Sequence, residues 1–114
     1  MSSKRPIRTK PRSQRRDVAL THPGEILRKD FLEAFGITQY RLAKDTRVPR
    51  RRINEIVNGT RGITADTALR LSIYFGTTPA FWLNLQSHYE IEVLRERHGV
   101  RIGRDVKPRS NEAA

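Results

Sequence analysis

Residues Thr38 to Gly59 read TQYRLAKDTRVPRRRINEIVNG, and the fold turns on this stretch. Thr38 is a side-chain acceptor suited to capping a helix start. The short helix after it carries Leu42 and Ala43. Thr46-Arg47-Val48 reads as a turn, and Pro49 opens a further helix. Ile53, Ile56 and Val57 follow at i, i+3, i+4, the spacing of one buried helical face. Asn58-Gly59 stops it. Two short helices joined by so tight a turn have the helix-turn-helix layout. The layout explains the residue sizes: Ala43 is small where the helices cross, and Val48, Ile53 and Ile56 fill the space beneath.

With the apolar positions turned inward, the opposite face presents Arg50, Arg51 and Asn54. Arg50, Arg51 and Arg52 open the helix as a triplet. In a plain surface helix they repel one another and the positive dipole end, at a few tenths of a kcal/mol each. Phosphate and guanine edges offset that repulsion. Arginine pairs bidentately with guanine and asparagine with adenine, and the start of a recognition helix is the part that reaches bases. Gln39, in the first turn of the preceding helix, is placed to hold a phosphate with the free backbone N–H groups. Thr60 and Arg61, just after the recognition helix, are further phosphate candidates. The plainer alternative for each of these residues is a solvated surface position.

Working outward, His22-Pro23 starts an earlier helix, with Pro at its first position and Glu25 in its first turn. Leu27, Phe31 and Phe35 form its stripe, and Gly36 closes it. Thr64 caps a fourth helix, with Ala65, Ala68, Leu69, Ser72 and Ile73 as its apolar face, ending at Gly76. Thr78-Pro79 starts a fifth, running toward His98-Gly99. The expectation is an all-α domain over residues 21–98, a flexible basic arm over 1–20 and a short polar tail over 99–114.

The 114-residue chain carries a formal net charge of +11, and residues 1–20 hold seven basic residues against one acid, Asp17. Such a balance favours polyanionic partners, nucleic acid first. With no cysteine, disulfides and Cys-based zinc sites are excluded. No apolar run approaches the roughly 20 residues of a membrane span, and the basic start lacks the apolar stretch of a signal peptide. A cytoplasmic, nucleoid-associated protein is expected.

The blocks HPGEIL, RRINEIVNG, GITADTALRL, YFGT and FWLNLQ stand in the order and spacing of the HigA/VapI branch of Xre-type repressors, which the stretch from His22 to about Arg97 resembles. The resemblance covers about two-thirds of the chain. It implies a compact five-helix, lambda-repressor-like domain that binds operator DNA. It also implies a small HigB/RelE-like toxin encoded beside it, a ribosome-dependent messenger-RNA endonuclease. By motif match, base reading falls on Arg50, Arg51 and Asn54, and phosphate holding on Gln39. One departure concerns the turn, where the family commonly has an aliphatic residue and then Gly and this chain has Thr46 and Arg47. Either Arg47 occupies a left-handed conformation at about 1 kcal/mol, or the turn differs. Arg47 is also a candidate phosphate contact.

The fifth helix carries Phe81, Trp82, Leu85, Tyr89 and Val93 on one stripe, with Leu83, Ile91 and Leu94 elsewhere. A domain this small cannot bury every side of its last helix, so a two-fold partner is the natural outlet. Trp82, Leu85, Tyr89, Ile91 and Leu94 are the candidates, core and interface being unresolved among them. Catalysis is not expected. His22, His88 and His98 form no metal-ligand spacing, and Glu90, Glu92 and Glu96 read as solvated partners of Arg95 and Arg97. No metal or cofactor is expected. Three readings follow: an antitoxin and autorepressor binding an inverted-repeat operator as a homodimer, a stand-alone phage- or plasmid-type regulator, and an RNA-binding protein.

Overall fold

The chain begins its packed structure where His22 turns from extended backbone into a helix. His22 Nδ1 accepts a hydrogen bond from the Gly24 N–H at 2.9 Å, and Pro23 occupies the first helical position. In the computed structural model, which describes residues 20–110, five helices follow and no strand is present among those residues. The basic arm expected over 1–20 therefore lies, apart from Leu20, outside the described residues, as do residues 111–114.

Helix α1 is α-helical over Pro23–Ile26, π-helical over Leu27–Glu33, and returns to α geometry at 34–35. The π segment revises the expected stripe. Hydrogen bonds to the fifth residue widen the turn, so Leu32 comes round beside Leu27 and both are buried, while Phe35 is left exposed. Phe31 stays on the inner face, packed against Phe75 and Trp82 with ring centroids 4.8 Å away in each case.

Helices α2 (Gln39–Thr46) and α3 (Arg50–Val57) form the helix-turn-helix. The Thr38 hydroxyl accepts from the Arg41 N–H at 3.0 Å, the cap that its position in the sequence called for. Pro49 is the cap residue of α3 rather than its first helical residue. Leu42, Ala43, Val48, Ile53, Ile56 and Val57 are all buried, as the crossing requires. Arg47 settles the alternative left open in the turn: it adopts the left-handed conformation, φ 57° and ψ 38°. Its neighbour Thr46 is held twice, through its own hydroxyl on the Leu42 carbonyl at 2.6 Å and through Arg70, which donates to the Thr46 carbonyl at 3.0 Å.

Helix α4 (Ala65–Phe75) buries Ala68 and Ser72 of the expected face but turns Thr67 and Leu71 inward in place of Ala65, Leu69 and Ile73. Thr67, Ala68, Leu71 and Ser72 are buried, while Leu69 is exposed and Ile73 is 76% exposed. The polar members fit because their hydroxyls are satisfied within the helix: Ser72 Oγ donates to the Leu69 carbonyl at 2.7 Å, and Thr67 Oγ1 pairs with Thr64 Oγ1 at 3.4 Å.

Helix α5 (Pro79–Asp105) runs past Gly99, where the sequence placed its end, and past Gly103 as well. Neither Gly99 nor Gly103 has positive φ, unlike Gly36, Gly59 and Gly76, which do terminate elements. A glycine inside a helix costs about 1 kcal/mol, too little by itself to end one. Residues 99–105 are therefore helix, and the expected tail begins only at Val106. Trp82 requires a second correction. It is 0% exposed, ringed by Phe31, Phe75 and Phe81, with its indole N–H donating to Thr77 Oγ1 at 2.8 Å. It is a core residue and cannot belong to an interface. Leu85 is half-buried against the core, and Tyr89 is half-buried edge-on to His22, centroids 5.0 Å apart. Ile91 and Leu94 remain outside, 53% and 48% exposed, and Val100 and Val106 extend the exposed apolar positions along the helix and just past it.

Candidate nucleic-acid interface

The start of α3 and the first turn of α2 meet in an open groove lined by Thr38, Gln39, Tyr40, Arg50, Arg51 and Asn54. Four of the residues singled out in the sequence thus come together. The geometry couples them in pairs. Asn54 Nδ2 donates to Gln39 Oε1 at 3.3 Å across the two helices, and Asn58 Nδ2 donates to Asn54 Oδ1 at 3.2 Å. The Asn54–Gln39 pair uses the Gln39 amide oxygen and not its amide nitrogen. The Arg50 guanidinium lies over the Tyr40 ring, 5.6 Å from its centroid. A cation on an aromatic face keeps its in-plane N–H groups for other partners.

The Arg51 side chain is 90% exposed, and its Nε donates to Glu55 Oε2 at 3.3 Å. Arg61 reaches the other oxygen of the same carboxylate, Nε to Oε1 at 2.7 Å. The two arginines beside Glu55, Arg61 foremost, hold its carboxyl below the ordinary carboxylate range. Thr60 is anchored to the same residue: its N–H and its hydroxyl both donate to the Glu55 carbonyl, at 2.9 and 3.2 Å. Thr60 and Arg61 therefore join the α3 surface through Glu55.

Arg52 and Arg47 do not line the groove. Arg52 is half-buried on the flank of α3, and Arg47 is exposed in the turn. Tyr40 and Glu55 are the two residues the sequence reading missed. The signal for Glu55 was present, since it stands four residues after Arg51, the spacing of a helical ion pair. Tyr40 gave no such signal, because its role depends on how α3 crosses α2. Beyond Tyr40 a second open depression includes Arg41, Lys44 and Tyr74 among its lining residues, which extends the basic surface along α2.

Among the described residues no group of acidic and histidine side chains could hold a metal ion, and no helix is long and apolar enough to cross a membrane.

A helix-turn-helix family model matches residues 29–82. The virulence-associated protein I of Dichelobacter nodosus is 51% identical over 75 residues, covering 66% of this chain and 69% of that protein. Antitoxin HigA-1 of Vibrio cholerae is 37% identical over 87 residues, covering 76% of this chain and 79% of the relative. Among solved structures, the antitoxin HigA of Pseudomonas aeruginosa with the higBA promoter superposes with a TM-score of 0.75 at 43% identity, covering 78% of this chain and 97% of that one. These relatives are named for antitoxin action and virulence association, and none for an enzymatic activity.

Proposed function

Because the chain belongs to the HigA family of helix-turn-helix proteins, we propose that it is a sequence-specific DNA-binding antitoxin that neutralises a cognate HigB/RelE-like messenger-RNA endonuclease and represses its own operon. It acts in the cytoplasm, on the nucleoid, as a homodimer bound to an inverted-repeat operator. The observation that carries the DNA-reading part is the groove at the start of α3, where Arg50, Arg51, Asn54 and Gln39 present donors from one exposed surface. Arg50, Arg51 and Asn54 read base edges. Gln39, Thr60 and Arg61 hold phosphate, and Arg47 and Arg52 add positive charge at the margins. The likeness to an antitoxin solved with a promoter supports this assignment.

One reading helix covers only a few base pairs, too few to mark a genomic site. A two-fold dimer doubles the site. Ile91 and Leu94, both exposed on α5, supply apolar surface for it, with Val100 further along the helix. In domain terms, residues 1–20 act as a basic arm, and the folded unit extends through the end of α5.

Co-expression with the neighbouring gene tests the proposal, together with titration of the duplex upstream of the chain's own gene. Tolerance of an otherwise toxic product that co-purifies with the chain, and preference for that duplex over a scrambled one at matched salt, are the expected results. Duplex preference without capture of any neighbouring product would overturn the antitoxin part. A protein that protects a single half-site as a monomer at micromolar concentration would overturn the dimer.

A further inference from the structure

A carboxylate inside a DNA-facing surface is an anomaly. It repels phosphate, so a surface built for affinity alone would lack it. Glu55 lies between two arginines proposed above as DNA contacts, one carboxylate oxygen on each. Both arginines meet it through Nε. That choice of atom leaves the terminal Nη groups of each guanidinium free, and those groups make an end-on fork to guanine or phosphate. The carboxylate thus orients the arginines without occupying their recognition ends. The backbone of the same residue fixes Thr60, so the recognition helix and the loop behind it share one anchor. The pair Arg41–Asp45, on the neighbouring helix, shows by contrast a carboxylate holding a single arginine.

We propose that Glu55 is a positioning residue that sets discrimination between operator and other DNA, by holding Arg51 and Arg61 in one arrangement and by opposing their use as free-swinging phosphate ligands. Two consequences follow. An arginine already held in its reading geometry loses less side-chain freedom on the correct site. An arginine restrained by a carboxylate must leave it to follow a phosphate backbone that lacks the matching base edge. Both effects lower non-specific binding relative to specific binding, and the second is a repulsive element of the kind that specificity requires. The proposal rests on the DNA-reading role given to Arg51 above.

The test uses the full chain and its Glu55→Gln, Glu55→Ala, Arg51→Ala and Arg51→Ala/Glu55→Gln variants. Glu33→Gln serves as the charge control, since it removes one exposed carboxylate from α1, where it pairs only with Arg28 among the ion pairs described. Each protein is titrated with the upstream duplex and a scrambled duplex at matched salt. Glu55→Gln and Glu55→Ala should narrow the operator-to-scrambled ratio by about five- to tenfold, within the range a single bidentate base contact supplies, with the scrambled duplex bound more tightly. Glu33→Gln should move both affinities together and leave the ratio unchanged. In the Arg51→Ala background, Glu55→Gln should narrow the ratio little further. If Arg51→Ala collapses the ratio and both Glu55 variants keep it, the positioning role is overturned and the DNA-reading site stands. If Arg51→Ala also keeps the ratio, the site reading itself is wrong. Glu55→Gln keeps the length and shape of the side chain and removes only its charge, so it remains informative if Glu55→Ala fails to fold.

Discussion

Arg47 is the one non-glycine residue with positive φ among the described residues, and its replacement by glycine separates stability from DNA binding. At φ 57° and ψ 38° its Cβ crowds the following carbonyl, a strain of about 1–2 kcal/mol. Glycine removes that strain but gives back about 0.4–1 kcal/mol through the freedom it gains in the unfolded chain. Taking the middle of each range, the net gain for Arg47→Gly is about 0.8 kcal/mol. For a domain of this size each kcal/mol moves Tm by about 4–8 °C, so Tm should rise by roughly 2–8 °C. The conformation itself is held by its surroundings and should survive the change: the Arg47 and Val48 N–H groups both donate to the Ala43 carbonyl, and Arg70 clamps the Thr46 carbonyl. Thermal unfolding followed by circular dichroism on the parent, Arg47→Gly and Arg47→Ala decides the matter. Alanine keeps the Cβ and loses the guanidinium, so the difference between the two variants reports the strain less glycine's extra freedom in the unfolded chain. If Arg47→Gly melts at or below Arg47→Ala, strain at this turn is not what the dihedral angle implies. In DNA titrations both variants lose one marginal positive charge and should lower the log–log salt slope by less than the roughly 0.9 of a full phosphate contact.

Gly24→Ala should destabilise the domain by about 3 kcal/mol or more in denaturant unfolding, because a Cβ there would stand 1.6 Å from the Ile56 carbonyl oxygen and force α1 away from α3. Arg51→Ala should cost about 1–3 kcal/mol on operator and relax preference at one base position, while Gln39→Ala should weaken operator and scrambled duplex more evenly; competition titrations on the two duplexes compare them. Burial holds the His22 pKa below its ordinary value of 6.5, so the unfolded chain binds the proton more readily than the folded one. The stability contributed by neutral His22 is full above that ordinary value. It should fall as pH drops from there toward the folded pKa, as Nδ1 loses its acceptor role toward Gly24. Tm measured from pH 8 to pH 5 should show this loss in the parent and a smaller one in His22→Asn, which caps without titrating in that range.

The parts of the fold legible in the sequence are those written in local chemistry. Thr38, Thr64 and Thr78 each accept from a backbone N–H three residues on, as capping residues should. Gly36, Gly59 and Gly76 each carry the positive φ that ends an element. The misread parts depend on tertiary packing. Leu69 and Ile73 look like core residues by composition, yet α4 buries Thr67 and Leu71 beside the expected Ala68 and Ser72. Phe35 falls off its stripe because π-turns change the helical period, which no residue of that stretch announces. Gly99 reads as a stop only if it adopts positive φ, and inside α5 it does not. In the candidate site, the placing of Gln39, Arg50, Arg51 and Asn54 on one exposed groove was legible because a buried face determines its opposite. Tyr40 was not, since it joins the groove through the crossing of two helices and not through its own periodicity.

The exit of α3 is tied to α5, which bears on how two such domains would share one operator. Gln86, buried on α5, accepts from the Ile63 N–H at 2.8 Å and donates to Glu90 at 2.7 Å. Gly62 lies so close that a Cβ there would stand 2.8 Å from the Gln86 amide nitrogen, so the loop presses its backbone against that side chain. On the other side of the exit, His22 packs over Gly59 and edge-on to Tyr89 of α5. The loop bearing Thr60 and Arg61 is thus held to α5 at two places, and Glu55 ties the same loop to α3. A reading helix tied in this way to the helix that carries Ile91 and Leu94 cannot swing independently of it. In the proposed dimer, pairing through α5 therefore sets the distance between the two reading faces. For both faces to enter the major groove on one side of the duplex, half-site centres should lie about one helical turn apart or a multiple of it, and this rigidity would hold a dimer to one such spacing.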